Sequence, residues 1–179
     1  MRLSLAAIDQ LPEGIAEPGY DPTAYGVGIV HMGIGAFHRC HMAVYTDDVL
    51  AENGGDWRIL GVSLRSSKIR DQLEPQNGLY TVIVRGASGD RAQVIGSVAG
   101  VLWAPADPQR VLEAMSAAST KIISLTITEK AIAWIRRPGL SIRRIPIFST
   151  IWSIWARRNQ PLVIWWLRSR GGGVTGLAR

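Results

Sequence analysis

The chain has 179 residues, 47% of them hydrophobic, with a single cysteine and a formal charge of +6. This supports one core-forming domain, alone or with an appendage, and excludes an internal disulfide framework, which fits a reducing compartment. The charge is split: residues 1–129 hold all 14 acids and ten Lys or Arg (−4), whereas residues 130–179 hold ten Lys or Arg and no acid (+10), so a nucleic-acid reading of the basic balance rests on the tail alone.

Residues 1–19 read as a surface leader, with turn signals at Pro12 and Pro18-Gly19, and another follows at Asp21-Pro22. The opening is acidic and proline-bearing, unlike a secretory signal, and the apolar stretch "IPIFSTIWSIWA" is too short to span a bilayer. A soluble, cytoplasmic, monomeric protein is the expectation. "GVGIVHM" (Gly26–Met32) predicts a buried parallel strand, and Ala36–Glu52 predicts one helix, closed by Asn53-Gly54-Gly55. Asp47-Asp48 reads as a solvated face of that helix. "WRILGVSL" predicts a second strand, and "SSKIRDQLEP" a helix with a serine start and a proline stop. "LYTVIVRG" and "RAQVIGSVAGVL" flank the turn Ala87–Asp90 and predict a hairpin. "DPQRVLEAMSAAS" predicts a helix capped by Asp107 with Pro108 in its first position, and "KIISLTI" a last buried strand.

Strand, helix, strand, helix, hairpin, helix, strand describes an open α/β domain of Rossmann type with a largely parallel sheet and a β-hairpin insertion. Ligands of such sheets sit beyond the carboxyl ends of the strands. Gly33–His38, Leu64–Lys68 and Thr128-Glu129 all follow predicted strands and are expected on one edge.

The turn Gly33-Ile34-Gly35, between strand and helix, has the form of a dinucleotide-binding loop. Gly33 permits the turn, Gly35 lets backbone amides approach a pyrophosphate, and the following helix directs its positive end there. The third glycine of the usual fingerprint is replaced by His38, so a purely structural turn is the competing reading. His31, His38, His41 and Cys40 lie close in sequence, but no metal-ligand spacing accompanies them, and no metal is expected. His41 and Cys40 read as packing or surface residues. The second strand ends in Leu64-Arg65-Ser66-Ser67-Lys68, with none of the acid that usually bonds the adenosine ribose. Arg65 is a candidate for the adenine, and Ser66 or Lys68 for a 2′-phosphate, against a simple solvated loop.

"IVHMGIGAFHRCHMAVYTDDVL", "GVSLRS", "QNGLYTVIVR", "VIGSV" and "ISLTITEK" together resemble the amino-terminal domain of the long-chain polyol dehydrogenases, the group of mannitol 2-dehydrogenase and fructuronate (mannonate) reductase. The resemblance covers residues 20–130. It implies that Gly33, Ile34, Gly35, Ala36, Phe37, His38 and Arg39 form the nicotinamide-dinucleotide turn, so that His38 is the family's own residue. It implies NAD as cofactor, with NADP left open by the second-strand loop, and places Glu129 near the nicotinamide. The implied reaction is oxidation of a polyol or sugar-acid CH–OH group. The family's catalytic lysine, asparagine and histidine belong to a helical carboxy-terminal domain that has no counterpart here. The catalytic set is therefore expected to be empty, and a polyol or sugar acid is expected as partner only with that domain present. An inactive dinucleotide-binding fragment is the alternative.

After Lys130 the resemblance stops. Residues 131–179 mix Ile, Trp and Arg without a helix or strand period. Three readings compete: a membrane-surface segment, a nucleic-acid-binding tail, or codons translated one base out of frame. Read one base earlier, isoleucine codons become Asp, His, Tyr or Asn codons, and the family's Gly-Tyr-Cys can follow Lys130. A non-native, poorly structured tail, with neither membrane nor nucleic acid as partner, is the expectation.

Overall fold

The apolar run Val27–Met32 forms the middle strand (β2) of a five-stranded sheet, with β3 (Arg58–Ser63) on one side and β7 (Ile122–Ile127) on the other. The order is β6-β3-β2-β7-β8 with every neighbouring pair parallel; β6 is Val98–Trp103 and β8 is Val163–Arg168. The computed structural model describes residues 2–87 and 89–127, and the backbone of residues 163–168. Glu129 and most of the basic tail lie outside the described residues. β8 falls inside the segment read as poorly structured, and it adds a fifth strand beside β7.

Both faces of this sheet are covered, as a parallel sheet requires. Val30, Met32, Val62, Ile123 and Leu125 pack on Val111 and Met115 of α4 (Pro108–Ser116). Ile29 and Ile59 face the other way, onto Ala43 of α2 (Met42–Asn53), Leu73 of α3 (Lys68–Leu73), and Tyr80 and Ile95 of a hairpin. That hairpin, expected from the sequence, is β4 (Tyr80–Gly86) against β5 (Gly89–Ile95); Gly89 and Asp90, read as turn residues, already pair with Gly86 and Arg85. A two-residue strand, β1 (Ile15–Ala16), pairs with β5, so the leader is held by backbone pairing. Truncating a core residue such as Ile123 would cost about 2–5 kcal/mol. α4 begins as its sequence predicts: the Arg110 amide donates to Asp107 Oδ1 at 2.9 Å, and Pro108 occupies the first position.

Two expectations fail for stated reasons. The helix read as continuous from Ala36 is broken at His41 (φ −129°, ψ −87°) into α1 (Ala36–Cys40) and α2. Ala43, Asp47 and Leu50 share one buried face at spacings of four and three. His38, five residues before Ala43, would point away from that face in a single helix. The break turns it back to the sheet. The segment "RAQVIGSVAGVL" is likewise two strands in two sheets. At its middle Gly96 packs on Pro22, where a Cβ would lie 2.8 Å from Pro22 Cγ, and Ser97 Oγ donates to the Ala43 carbonyl at 2.6 Å.

Asp47 is a third correction. It is not solvated but 1% exposed, and its Oδ1 accepts from Tyr20 Oη at 2.6 Å and from the Gly96 amide at 2.8 Å. One carboxylate thus ties Tyr20, the residue that follows the leader, and the β5–β6 crossing to α2. Burial raises its pKa, and these bonds oppose that rise.

Candidate functional site

The parallel order brings the carboxyl ends of β2, β3 and β7 to one edge, as expected. Met32 pairs with Val62 and with Leu125. The chain then turns at Gly33, whose φ of +94° favours glycine, and its amide donates to the Val62 carbonyl at 2.9 Å. Ile34 is buried and fills the space over Gly61, where a side chain would collide with it. The turn is thereby fastened to β3 by a hydrogen bond and by packing.

Gly35 differs from Gly33. Its φ is −78°, and a Cβ there would meet only the Gly33 carbonyl oxygen, at 3.8 Å. Neither backbone strain nor packing within the described residues demands glycine at this exposed position. Room for a group lying on the turn is what glycine supplies. The Gly35 amide donates to the Gly33 carbonyl at 2.6 Å, so the donors left for an anion are the first amides of α1, at Ala36 and Phe37. With α1 only five residues long, local amides and not a long helix dipole would attract phosphate. This surface of small, exposed residues above free amides fits a pyrophosphate.

The remaining turn residues lie behind that surface. Phe37 stacks on His41 at 4.4 Å. Arg39 Nη1 donates to the Ile34 carbonyl at 3.0 Å, which braces the turn from within. His38 is fully buried and stacks on His31 with ring centroids 3.6 Å apart and planes 18° from parallel. In place of close helix–strand contact over a third glycine, this fold uses two stacked imidazoles. Arg65 is exposed in the loop after β3, on the same edge.

The His31 network was not legible as a unit from sequence. His31 Nδ1 is 2.7 Å from Ser124 Oγ and Nε2 is 3.0 Å from Thr126 Oγ1. Ser124 Oγ also lies 3.9 Å from Met42 Sδ, so the imidazole, two hydroxyls and a thioether form one buried chain of polar atoms. The signal was there in part: His31 and Ser124 are polar residues in buried strands, and the register sets them directly opposite. Burial pushes the His31 pKa down to about 2 and the His38 pKa down to about 4, with His38 and Arg39 respectively adding to the effect. Both rings are neutral at pH 7. Among the described residues, no group of three or more His, Cys, Asp or Glu could hold a metal, and no helix is long and apolar enough to cross a membrane.

Residues 27–161 match the family described as the mannitol dehydrogenase Rossmann domain. The chain is 44% identical over 123 residues to a mannitol 2-dehydrogenase of Pyricularia oryzae, covering 67% of this chain and 24% of that protein. It is 50% identical over 105 residues to one of Aspergillus clavatus, covering 57% and 21%. A solved Pseudomonas fluorescens mannitol 2-dehydrogenase, in ternary complex with NAD and D-mannitol, superposes with a TM-score of 0.68 at 37% identity, covering 72% of this chain and 27% of that one. A substrate-free D-sorbitol dehydrogenase gives the same TM-score at 34% identity, covering 73% and 28%. The chain thus spans about a quarter of the length of the relatives it matches. Over that span, it belongs to the mannitol dehydrogenase family through its Rossmann domain.

Proposed function

We propose that this chain is the NAD-binding part of an oxidoreductase acting on the CH–OH group of a polyol or sugar acid, of the mannitol–fructose or mannonate–fructuronate kind. The observation that carries the reading is the Gly33–Gly35 turn, open above Gly35 and fastened to β3 at the carboxyl edge of a parallel sheet, in a chain of this family. NAD would supply the hydride acceptor. This chain's own residues bind and orient: the Ala36 and Phe37 amides for the pyrophosphate, Arg65 toward the adenine side, and Glu129 toward the nicotinamide. Ile34, His38 and Arg39 hold the turn in shape from beneath.

No residue of this chain is assigned to proton transfer. The reading therefore predicts NAD binding without turnover. Titration calorimetry of the 179-residue chain with NAD, followed by a mannitol oxidation assay, tests both halves. Absence of NAD binding overturns the cofactor assignment, and robust mannitol oxidation overturns the empty catalytic set.

A further inference from the structure

We infer that a cavity between the leader, α1, α3 and β4 binds a small polyhydroxylated phosphate ester, of the size and charge of a sugar phosphate. The cavity measures about 360 Å³, within the range of small-molecule sites (roughly 300–1,000 Å³). None of residues 33–37 or 64–68 lines it, so it is separate from the cofactor turn and from the loop after β3. All of its lining residues precede the basic tail.

The cavity is assembled from segments far apart in sequence. The Leu5 amide donates to Asn77 Oδ1 at 3.2 Å, which holds the leader beside the short helical turn Glu74–Gln76 and brings Arg2 to the rim. Tyr80 Oη donates to the Arg39 carbonyl at 2.7 Å, which holds the end of α1 against β4. Leu73 and Tyr80 are buried and supply the apolar part of the lining.

The charged lining has one sign. Arg2 and Arg39 line the cavity, no acid does, and among the described residues neither arginine is in an ion pair. Arg39 uses Nη1 on the Ile34 carbonyl, which leaves its other guanidinium N–H groups without an acceptor among the described residues. Two guanidiniums with no carboxylate between them match a phosphate dianion. The neutral polar groups match hydroxyls. Gln72 and Thr81 are exposed on the same lining, and Gln76, whose Nε2 donates to the Leu79 carbonyl at 2.8 Å, keeps its Oε1 to accept.

Cys40, the single cysteine of the chain, is exposed on this lining and reports on the cavity. The test titrates the full chain with glucose 6-phosphate, inorganic phosphate and glucose, and follows the rate of Cys40 alkylation by iodoacetamide in each. Glucose 6-phosphate is expected to bind about tenfold more tightly than inorganic phosphate, the scale of one charge-assisted contact, and to slow alkylation severalfold. Glucose alone should give no protection, and the affinity for the ester should fall as salt rises. Arg39 is spared as a variant because it braces the turn. Arg2→Ala should weaken the ester about tenfold, and Gln72→Ala should weaken the ester but not inorganic phosphate; both side chains are exposed, and circular dichroism should show an unchanged fold. Absence of binding, or binding that leaves the Cys40 rate unchanged, overturns the inference. Displacement of the ester by NAD also overturns it, because the ester would then lie in the cofactor turn. Equal affinity for the ester and for inorganic phosphate overturns the assignment of a polyhydroxylated ligand. Failure of NAD to bind overturns the cofactor reading alone.

Discussion

His38 of α1 lies face to face with His31 of β2, 3.6 Å between centroids, with neither of its own ring nitrogens bonded among the described residues. The pair carries no charge at neutral pH because burial depresses both pKa values. In the unfolded chain both rings titrate near 6.5. As pH falls below that value the unfolded state takes up protons that the folded state refuses. Stability is therefore fully present above about pH 6.5 and declines as pH drops toward the His38 value of about 4. Each histidine contributes a slope of about 1.4 kcal/mol per pH unit. Denaturant midpoints measured between about pH 6.5 and 5 should show this slope, and His38→Phe should reduce it by about half. An unchanged slope in the variant would show that His38 is not buried and neutral.

The two glycines of the turn should fail differently when replaced. Gly33→Ala forces a side chain to φ +94° and should cost about 1–2 kcal/mol of stability. Gly35→Val meets no such strain and has room for its Cβ, so thermal stability should hold while dinucleotide binding is lost. Melting temperature and NAD affinity of the two variants separate the effects. Retained NAD affinity in Gly35→Val would remove the cofactor from this turn.

Removing the Asp47 carboxylate should be among the most damaging changes on the leader side of the domain. Asp47→Ala strands the Tyr20 hydroxyl and the Gly96 amide, for a cost of about 3 kcal/mol. Tyr20→Phe removes only one of the donors to this carboxylate and should cost about 1 kcal/mol. Chemical denaturation of both variants checks the order. Equal, small effects would mean that Tyr20 and the β5–β6 crossing are not fastened through Asp47.

These residues also show where the sequence is and is not legible. β2, β3 and β7 announce themselves because a strand buried on both faces must be apolar throughout, and α4 because Asp107 and Pro108 have local reasons to start a helix. Chain direction and parallel order then place the Gly33 turn and the Arg65 loop on one edge without further information. The break at His41 lets His38 stack on His31, and the crossing at Gly96-Ser97 is set by contacts with Pro22, Asp47 and Ala43, far along the chain; no helix or strand period records either. Tyr45 and Val49 of α2 are apolar yet 67% and 46% exposed, because the face that packs is chosen by the sheet. Asp47 looks solvated beside Asp48, and only Tyr20 and Gly96 make its burial tolerable.

The coding sequence after Lys130 is expected to be offset by one base. All 14 acids precede residue 130, and five of the seven tryptophans follow it. An offset of one base would produce that pattern, because isoleucine codons conceal Asp, Asn, His or Tyr codons and tryptophan codons conceal Leu, Val or Met codons. The competing reading, a tail translated in its proper frame, has two observations in its favour: the family match continues to residue 161, and residues 163–168 form a strand beside β7. Against it stands the physical character of the segment, in which residues 131–179 bring nine arginines and no acid to balance them. We expect the nucleotide sequence to lack one base near the Lys130 codon, and an added base there to open a frame reading Thr-Glu-Lys-Gly-Tyr-Cys and continuing with acids. Limited proteolysis gives a second measure: cleavage should concentrate after residue 130 while residues 20–127 resist. If the offset frame stops early or contains no acids, the tail is native, and β8 must be counted as an edge strand of the domain's own sheet.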